Sequence, residues 1–245
     1  MRKYILKVDN VSKSIKRKKI INNISFEVKV GDICGFIGPN GAGKTTMIRL
    51  ITGLITPTEG NIYIDNYDVN KQRREALENL GAIVEAPIFF SYLTGEQVLN
   101  NLSTLNENMS KNERKTKVEE VLKIVGLYDR RKDKVSTYSL GMKQRLGIAQ
   151  SLLNNPKIII LDEPANGLDP MGMIELRGLI LKLNKEKGIT FFISSHLLDE
   201  LQKICEKLVI IKEGNLVWCG DTRDLIDESE SNNLEEIFVS LMTKY

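Results

Sequence analysis

Apolar and polar positions alternate over residues 5–11, 20–25 and 26–30, which predicts β-strands on either side of a basic stretch, residues 13–19. Gly31 and Asp32 then turn the chain into the apolar run Ile33-Cys34-Gly35-Phe36-Ile37, so an N-terminal antiparallel layer is expected ahead of a buried strand. Residues 47–51 start a helical pattern that Gly53 and Pro57 end. A short strand at 61–64 with a turn at Asp65-Asn66 follows, then a strand at 80–85 closed by Ala86-Pro87. From Thr94 to about Leu153 the period becomes helical. Thr94 and Gln97 form a capping box, and residues 111–125 set Val118, Val121, Leu122 and Val125 among alternating charges. Pro156 ends this insert, and Ile158-Ile159-Ile160-Leu161 has the unbroken apolar character of a strand buried on both faces. Beyond it the pattern gives a helix at 173–183, a strand at 190–193, a helix at 197–205, and a hairpin of 208–211 and 216–218 around Glu213-Gly214-Asn215. Residues 234–242 form a short amphipathic helix, expected to pack on its own domain rather than make a dimer contact. Residues 227–233 look disordered, and no internal repeat appears. Strands separated by helices imply a mostly parallel sheet with right-handed crossovers.

Composition changes this picture little. The 245 residues are 42% hydrophobic, ample for a core in one large domain. A net charge of +3 argues for neither nucleic acid nor a membrane surface, and the lysines at 13–19 read as a solvated hairpin tip. Cys34, Cys205 and Cys219 are too few and too scattered for a disulfide framework or a zinc site, which fits a reduced, cytosolic chain. No apolar run reaches the roughly 18 to 20 residues that cross a bilayer, so any membrane crossing is expected to fall to another chain.

Candidate chemistry lies at the ends of the strands. Gly38, Pro39, Asn40, Gly41, Ala42, Gly43, Lys44, Thr45 and Thr46 match G-x-x-x-x-G-K-S/T between a strand and a helix. In that setting backbone N–H groups and the positive helix end face phosphate oxygens, Lys44 reaches the β- and γ-phosphates, and Thr45 places its hydroxyl on Mg2+. The loop is therefore expected to bind a nucleoside triphosphate. Asp162 and Glu163 end the apolar strand where ligands sit in open α/β sheets, Asp162 to hold Mg2+ through water and Glu163 to polarise the attacking water. Ser139 and Gly141 open a helix, as an N-cap and a second anion site. His196, the single histidine, follows the 190–193 strand on the same edge and is expected to contact the γ-phosphate.

Five motifs in this order, G-P-N-G-A-G-K-T-T, S-L-G-M-K-Q-R, I-I-I-L-D-E-P, N-G-L-D and S-S-H, resemble the Walker A, signature, Walker B, D-loop and switch-histidine motifs of ATP-binding cassette (ABC) transporter ATPases. The resemblance covers nearly the whole chain. It implies a single domain over 1–245, a P-loop NTPase of α/β class, with a core of 1–85 and 154–245 and a helical signature-bearing subdomain at 86–153. It also implies a head-to-tail homodimer in which Ser139, Leu140, Gly141 and Met142 of one subunit cover ATP held by Lys44 of the other, with Asp169 communicating across the interface. Separate transmembrane permease subunits would be the partners, at the cytoplasmic face of the membrane, with no nucleic acid. Two residues depart from the family pattern. Ile15 stands where an aromatic residue usually stacks on adenine, and Glu85 where a glutamine usually touches Mg2+, a cation that the Glu85 carboxylate is expected to ligate as well, beside Thr45 and Asp162. Glu85-Ala86-Pro87 with S-L-G-M-K-Q resembles the subgroup that exports antimicrobial peptides, in lantibiotic immunity and bacitracin resistance. Another cargo (a sodium ion, a lipid or a polysaccharide), or a cassette ATPase acting on DNA or ribosomes, stays open at this point.

Overall fold

A computed structural model describes residues 4–196, 198–227 and 233–244. Strand β1 (Tyr4–Ile15) pairs antiparallel with β2 (Lys18–Lys29) through a tight turn at Lys16 and Arg17, both at positive φ. These strands are longer than the alternation predicts. Asn10 and Asn23 sit at positive φ beside register shifts, where asparagine tolerates the left-handed region, so bulges carry the pairing past the breaks in the pattern. With β4 (Glu59–Ile64) and β5 (Tyr67–Asp68) they form a sheet of order β2-β1-β4-β5, and Asp65-Asn66 makes the expected turn.

The second sheet has the order β10-β9-β3-β8-β7-β6. Its parallel members are β3 (Ile33–Ile37), β6 (Leu80–Ile83), β7 (Ile158–Asp162), β8 (Thr190–Ser195) and β9 (Lys207–Lys212), with β10 (Asn215–Asp221) antiparallel at one edge. The unbroken apolar runs follow from two covered faces. Cys34, Phe36, Ile158, Ile160 and Phe192 face the antiparallel layer; Ile37, Ile159, Leu161, Phe191 and Ile193 face the helices. Between the sheets Phe26, Phe36 and Phe192 form a cluster with ring centroids 5.2 to 6.1 Å apart, and helix α1 (Lys44–Ile51) is buried in the same layer. Cys34 and Cys205 are buried free thiols whose pKa burial raises, which suppresses their thiolates.

Helix α2 (Arg73–Glu78) escaped the sequence reading because six residues are too few to show a period. The helical insert contains α3 (Gly95–Ser103), α4 (Lys111–Ile124) and α5 (Leu140–Ser151), with capping boxes at Thr94/Gln97 and Ser110/Glu113. α6 (Pro170–Lys187) starts earlier than its apolar pattern, because Asp169 caps it and Pro170 takes a first-turn position. α7 (Leu198–Gln202) is shorter than the pattern, and position 197 lies outside the described residues. α8 (Thr222–Asp227) was not anticipated, and most of the stretch read as disordered, 228–232, also lies outside them. α9 (Leu234–Lys244) buries Leu234 and Ile237 against the helical side of the core, the packing expected of it. Among the described residues no helix is long and apolar enough to cross a membrane. The fold is thus α/β, with a mostly parallel sheet, an antiparallel layer and a helical insert.

Candidate functional site

The phosphate-type loop connects β3 to the buried helix α1, and its glycines answer to different constraints. Gly43 caps α1 at φ 107°, and a side chain there would meet Ile21 Cδ1 at 2.7 Å. Gly38 has no unusual φ, but a Cβ would stand 2.5 Å from the Ile211 carbonyl oxygen, so close packing rather than curl requires glycine. The loop rests on the β9–β10 turn and, behind it, on strand β2. Gly214 donates to the Ala42 carbonyl (2.9 Å), and Asn22 donates to the Gly214 carbonyl (2.8 Å). Pro39, Asn40 and Gly41 are exposed, whereas Thr45 and Thr46 in the first turn of α1 are partly buried.

Lys44 is buried. Its Nζ donates to the Gly38 carbonyl (2.7 Å) and the Pro39 carbonyl (3.4 Å) and lies 3.6 Å from Glu163 Oε1. Glu163 follows β7 at φ 49°; its N–H donates to Ser194 Oγ (2.9 Å), and its Oε2 accepts from the His196 backbone N–H (3.3 Å) and lies 2.6 Å from His196 Nδ1. Ser194, fully buried, donates through Oγ to Asp162 Oδ1 at 2.5 Å. Parallel pairing of β3, β8 and β7 therefore brings Lys44, Asp162, Glu163 and His196 to one sheet edge. Ser194 is the site residue that sequence reasoning passed over. Its signal was its place in S-S-H, opposite Asp162 in register.

Other anticipated residues stand apart. Ser139 caps α5, accepting from the Met142 N–H (3.2 Å), and Leu140 is partly exposed. The start of α5 packs on the turn before α6: a Cβ on Gly167 would lie 3.1 Å from Leu140, and one on Gly141 3.9 Å from Gly172 Cα. Asp169 accepts from the Gly172 N–H (2.9 Å), so its side chain serves α6. Among the described residues, no hydrogen bond or ion pair joins 139–142 to Lys44 or Glu163. Ile15 ends β1 half-exposed, opposite Lys18. β6 stops at Ile83 rather than continuing to residue 85, because Glu85 turns to φ 69° and pairs with Arg49 of α1. That partner was invisible in sequence, being 36 residues away.

A buried lysine at a helix N-terminus, beside a glycine loop with no room for a side chain at Gly38 or Gly43, fits a triphosphate. Among the described residues no cluster of three His, Cys, Asp or Glu forms a ready-made metal cage. The donors at hand, the Thr45 hydroxyl and the Asp162 carboxylate, suit Mg2+, which keeps several waters and shares itself with nucleotide phosphates.

These features define a P-loop nucleotide-binding protein. A family profile described as ABC transporter matches residues 21–166. The bacitracin transport ATP-binding protein BcrA of Bacillus licheniformis is 46% identical over 213 residues, 87% of this chain and 68% of that protein. The lantibiotic transport ATP-binding protein SrtF of Streptococcus pyogenes is 38% identical over 234 residues, 96% of each chain. Among solved structures, an ATP-binding subunit of an ABC transporter superposes with a TM-score of 0.84 at 28% identity, covering 97% of this chain and 99% of that one. A dimeric cassette in a post-hydrolysis state, bound to ADP and Pi, gives 0.77 at 29% identity over 88% and 98%. The chain belongs to the ABC transporter family and is an ATPase of that family.

Proposed function

We propose that this chain is the nucleotide-binding subunit of an exporter that removes antimicrobial peptides of lantibiotic or bacitracin type. It would work as a peripheral protein at the cytoplasmic face of the membrane, driving separate transmembrane permease subunits. The relatives BcrA and SrtF support that cargo, together with Glu85-Ala86-Pro87 and the S-L-G-M-K-Q signature. The observation that carries the mechanism is the constellation of Lys44, Glu163, His196 and Asp162 on one sheet edge.

In this reading Lys44 and the amides of residues 38–46 hold the phosphates, and Thr45 and Asp162 hold Mg2+, which would neutralise charge on the phosphates. Glu163 orients the water and accepts its proton, while His196 fixes the Glu163 carboxylate and steadies the transferring group. Such catalysis is mostly positioning and electrostatics. Lys44 now leans on two loop carbonyls and on Glu163, so phosphate oxygens would take over contacts that the chain supplies to itself. Ile15 offers the base an aliphatic contact in place of an aromatic stack. The helix start at Ser139, Leu140, Gly141 and Met142, with no bond to its own Lys44 among the described residues, would close over nucleotide on a second copy, with Asp169 beside it. Each pocket is then complete only in the homodimer.

The test is Glu163→Gln. Turnover is expected to fall by about 10² or more if Glu163 is the general base, with nucleotide affinity retained and ATP-bound dimers accumulating in light scattering. Hydrolysis at the wild-type rate, or a variant monomeric at every ATP concentration, would overturn this reading.

A further inference from the structure

The two glutamates at the sheet edge are treated alike by helix α1. In the parallel pair of β6 and β7, Ile83 stands opposite Leu161, so two residues further along each strand come Glu85 and Glu163. Both leave their strands at positive φ, 69° and 49°, a conformation that a glutamate adopts only where its surroundings hold it. Each has a cation from the same helix: Lys44 lies 3.6 Å from Glu163, and Arg49 is hydrogen-bonded to Glu85. Arg49 is one turn along α1 from Thr45, on the same stripe of the helix. Its backbone is fixed, since its carbonyl accepts from the N–H groups of Leu54 (2.9 Å) and Ile55 (3.2 Å).

An exposed ion pair adds little to stability by itself, and these side chains are 46% and 61% exposed. Its effect lies in where it holds a charge. A carboxylate at position 85, two residues past the last β6–β7 pair just as Glu163 is, adds a further negative group at the end of the sheet that must receive phosphates. Glutamine would add none. Arg49 neutralises that charge and holds the carboxylate against α1. We propose that Arg49 is a positioning residue for the ATPase reaction, holding Glu85 so that the cation site is set by Thr45 and Asp162 and the phosphates meet no uncompensated carboxylate. This inference rests on the assignment of Thr45 and Asp162 to Mg2+.

The experiment measures binding of a fluorescent ATP analogue, in EDTA and across a Mg2+ titration, for the full chain, Arg49→Ala, Arg49→Lys, Glu85→Gln and the Arg49→Ala/Glu85→Gln pair. Thermal unfolding without nucleotide confirms that each is folded. Arg49→Ala is expected to weaken binding in EDTA and, by freeing the Glu85 carboxylate as an additional oxygen ligand for a hard cation, to lower the Mg2+ concentration for half-maximal binding by about 10-fold. Arg49→Lys should stay near the wild type, and adding Glu85→Gln should cancel both changes. An Arg49→Ala effect that survives in the Glu85→Gln background, or no effect at all while the wild type still responds to Mg2+, would overturn the inference alone. Wild-type binding indifferent to Mg2+ would overturn the cation assignment and the inference with it.

Discussion

Ser194 shows how much one hydroxyl organises. It donates to the Asp162 carboxylate and accepts from the Glu163 backbone, so a single oxygen fixes both acidic residues that the proposed mechanism needs. Ser194→Ala leaves a buried carboxylate without its charge-assisted donor, at a cost of about 1–3 kcal/mol. The two acids lose their common anchor. Steady-state kinetics should show kcat reduced by roughly 10- to 100-fold, the scale expected for misplaced catalytic groups, with KM changed less. An unchanged kcat would show that β7 alone places them. At this scale the sequence was informative wherever a residue acts beside its own neighbours, as with the glycine loop, the Asp162-Glu163 pair and the caps at Thr94 and Ser139. For Ser194 it offered only a place in S-S-H and for Arg49 nothing, since their partners are 32 and 36 residues away and exist only once strands and helix are in register.

Among the elements, α4 is tied to α6 by a small ionic link. Glu120 of α4 accepts from Lys187 at the end of α6 (3.0 Å) and from Lys117 (3.1 Å), and Lys117 also donates to Asn155 (2.6 Å). Burial alone would raise the Glu120 pKa, but the hydrogen bonds and charges of Lys187 and Lys117 outweigh it and hold the carboxyl below its ordinary value of 4.5. A carboxyl depressed by folding contributes stability above its unfolded pKa, and that stability is lost as pH falls through the folded value. The pair is partly exposed, so the contribution is about 1 kcal/mol or less. Glu120→Gln should lower the Tm slightly at pH 7, with the gap to the wild type closing as pH drops below about 4.5; a gap that stays constant with pH would exclude the link. The long elements, α4, α6 and the buried strands, could be read from period and apolar run. The short ones, α2 and α8, could not, because six residues hold less than two turns and their packing decides them.

Across the whole molecule, the phosphate loop belongs to three distant stretches of chain, and Gly214 joins them. A Cβ at that residue would lie 2.2 Å from the Ile20 carbonyl oxygen, so the turn between β9 and β10 has to shift if any side chain is added. Gly188 supplies the control, since it too has positive φ but has open space around its Cβ. Gly188→Ala and Gly214→Ala share the conformational penalty, and only the second disturbs the loop. A nucleotide titration should find Gly214→Ala weaker by about 5-fold, on the order of 1 kcal/mol, and Gly188→Ala unchanged. Equal affinities would mean that the loop keeps its shape unaided. If the turn does brace the loop, a fluorophore or epitope inserted at 213–215, where Glu213 and Asn215 are exposed on either side of buried Gly214, would act as an inhibitor of the nucleotide pocket from outside it.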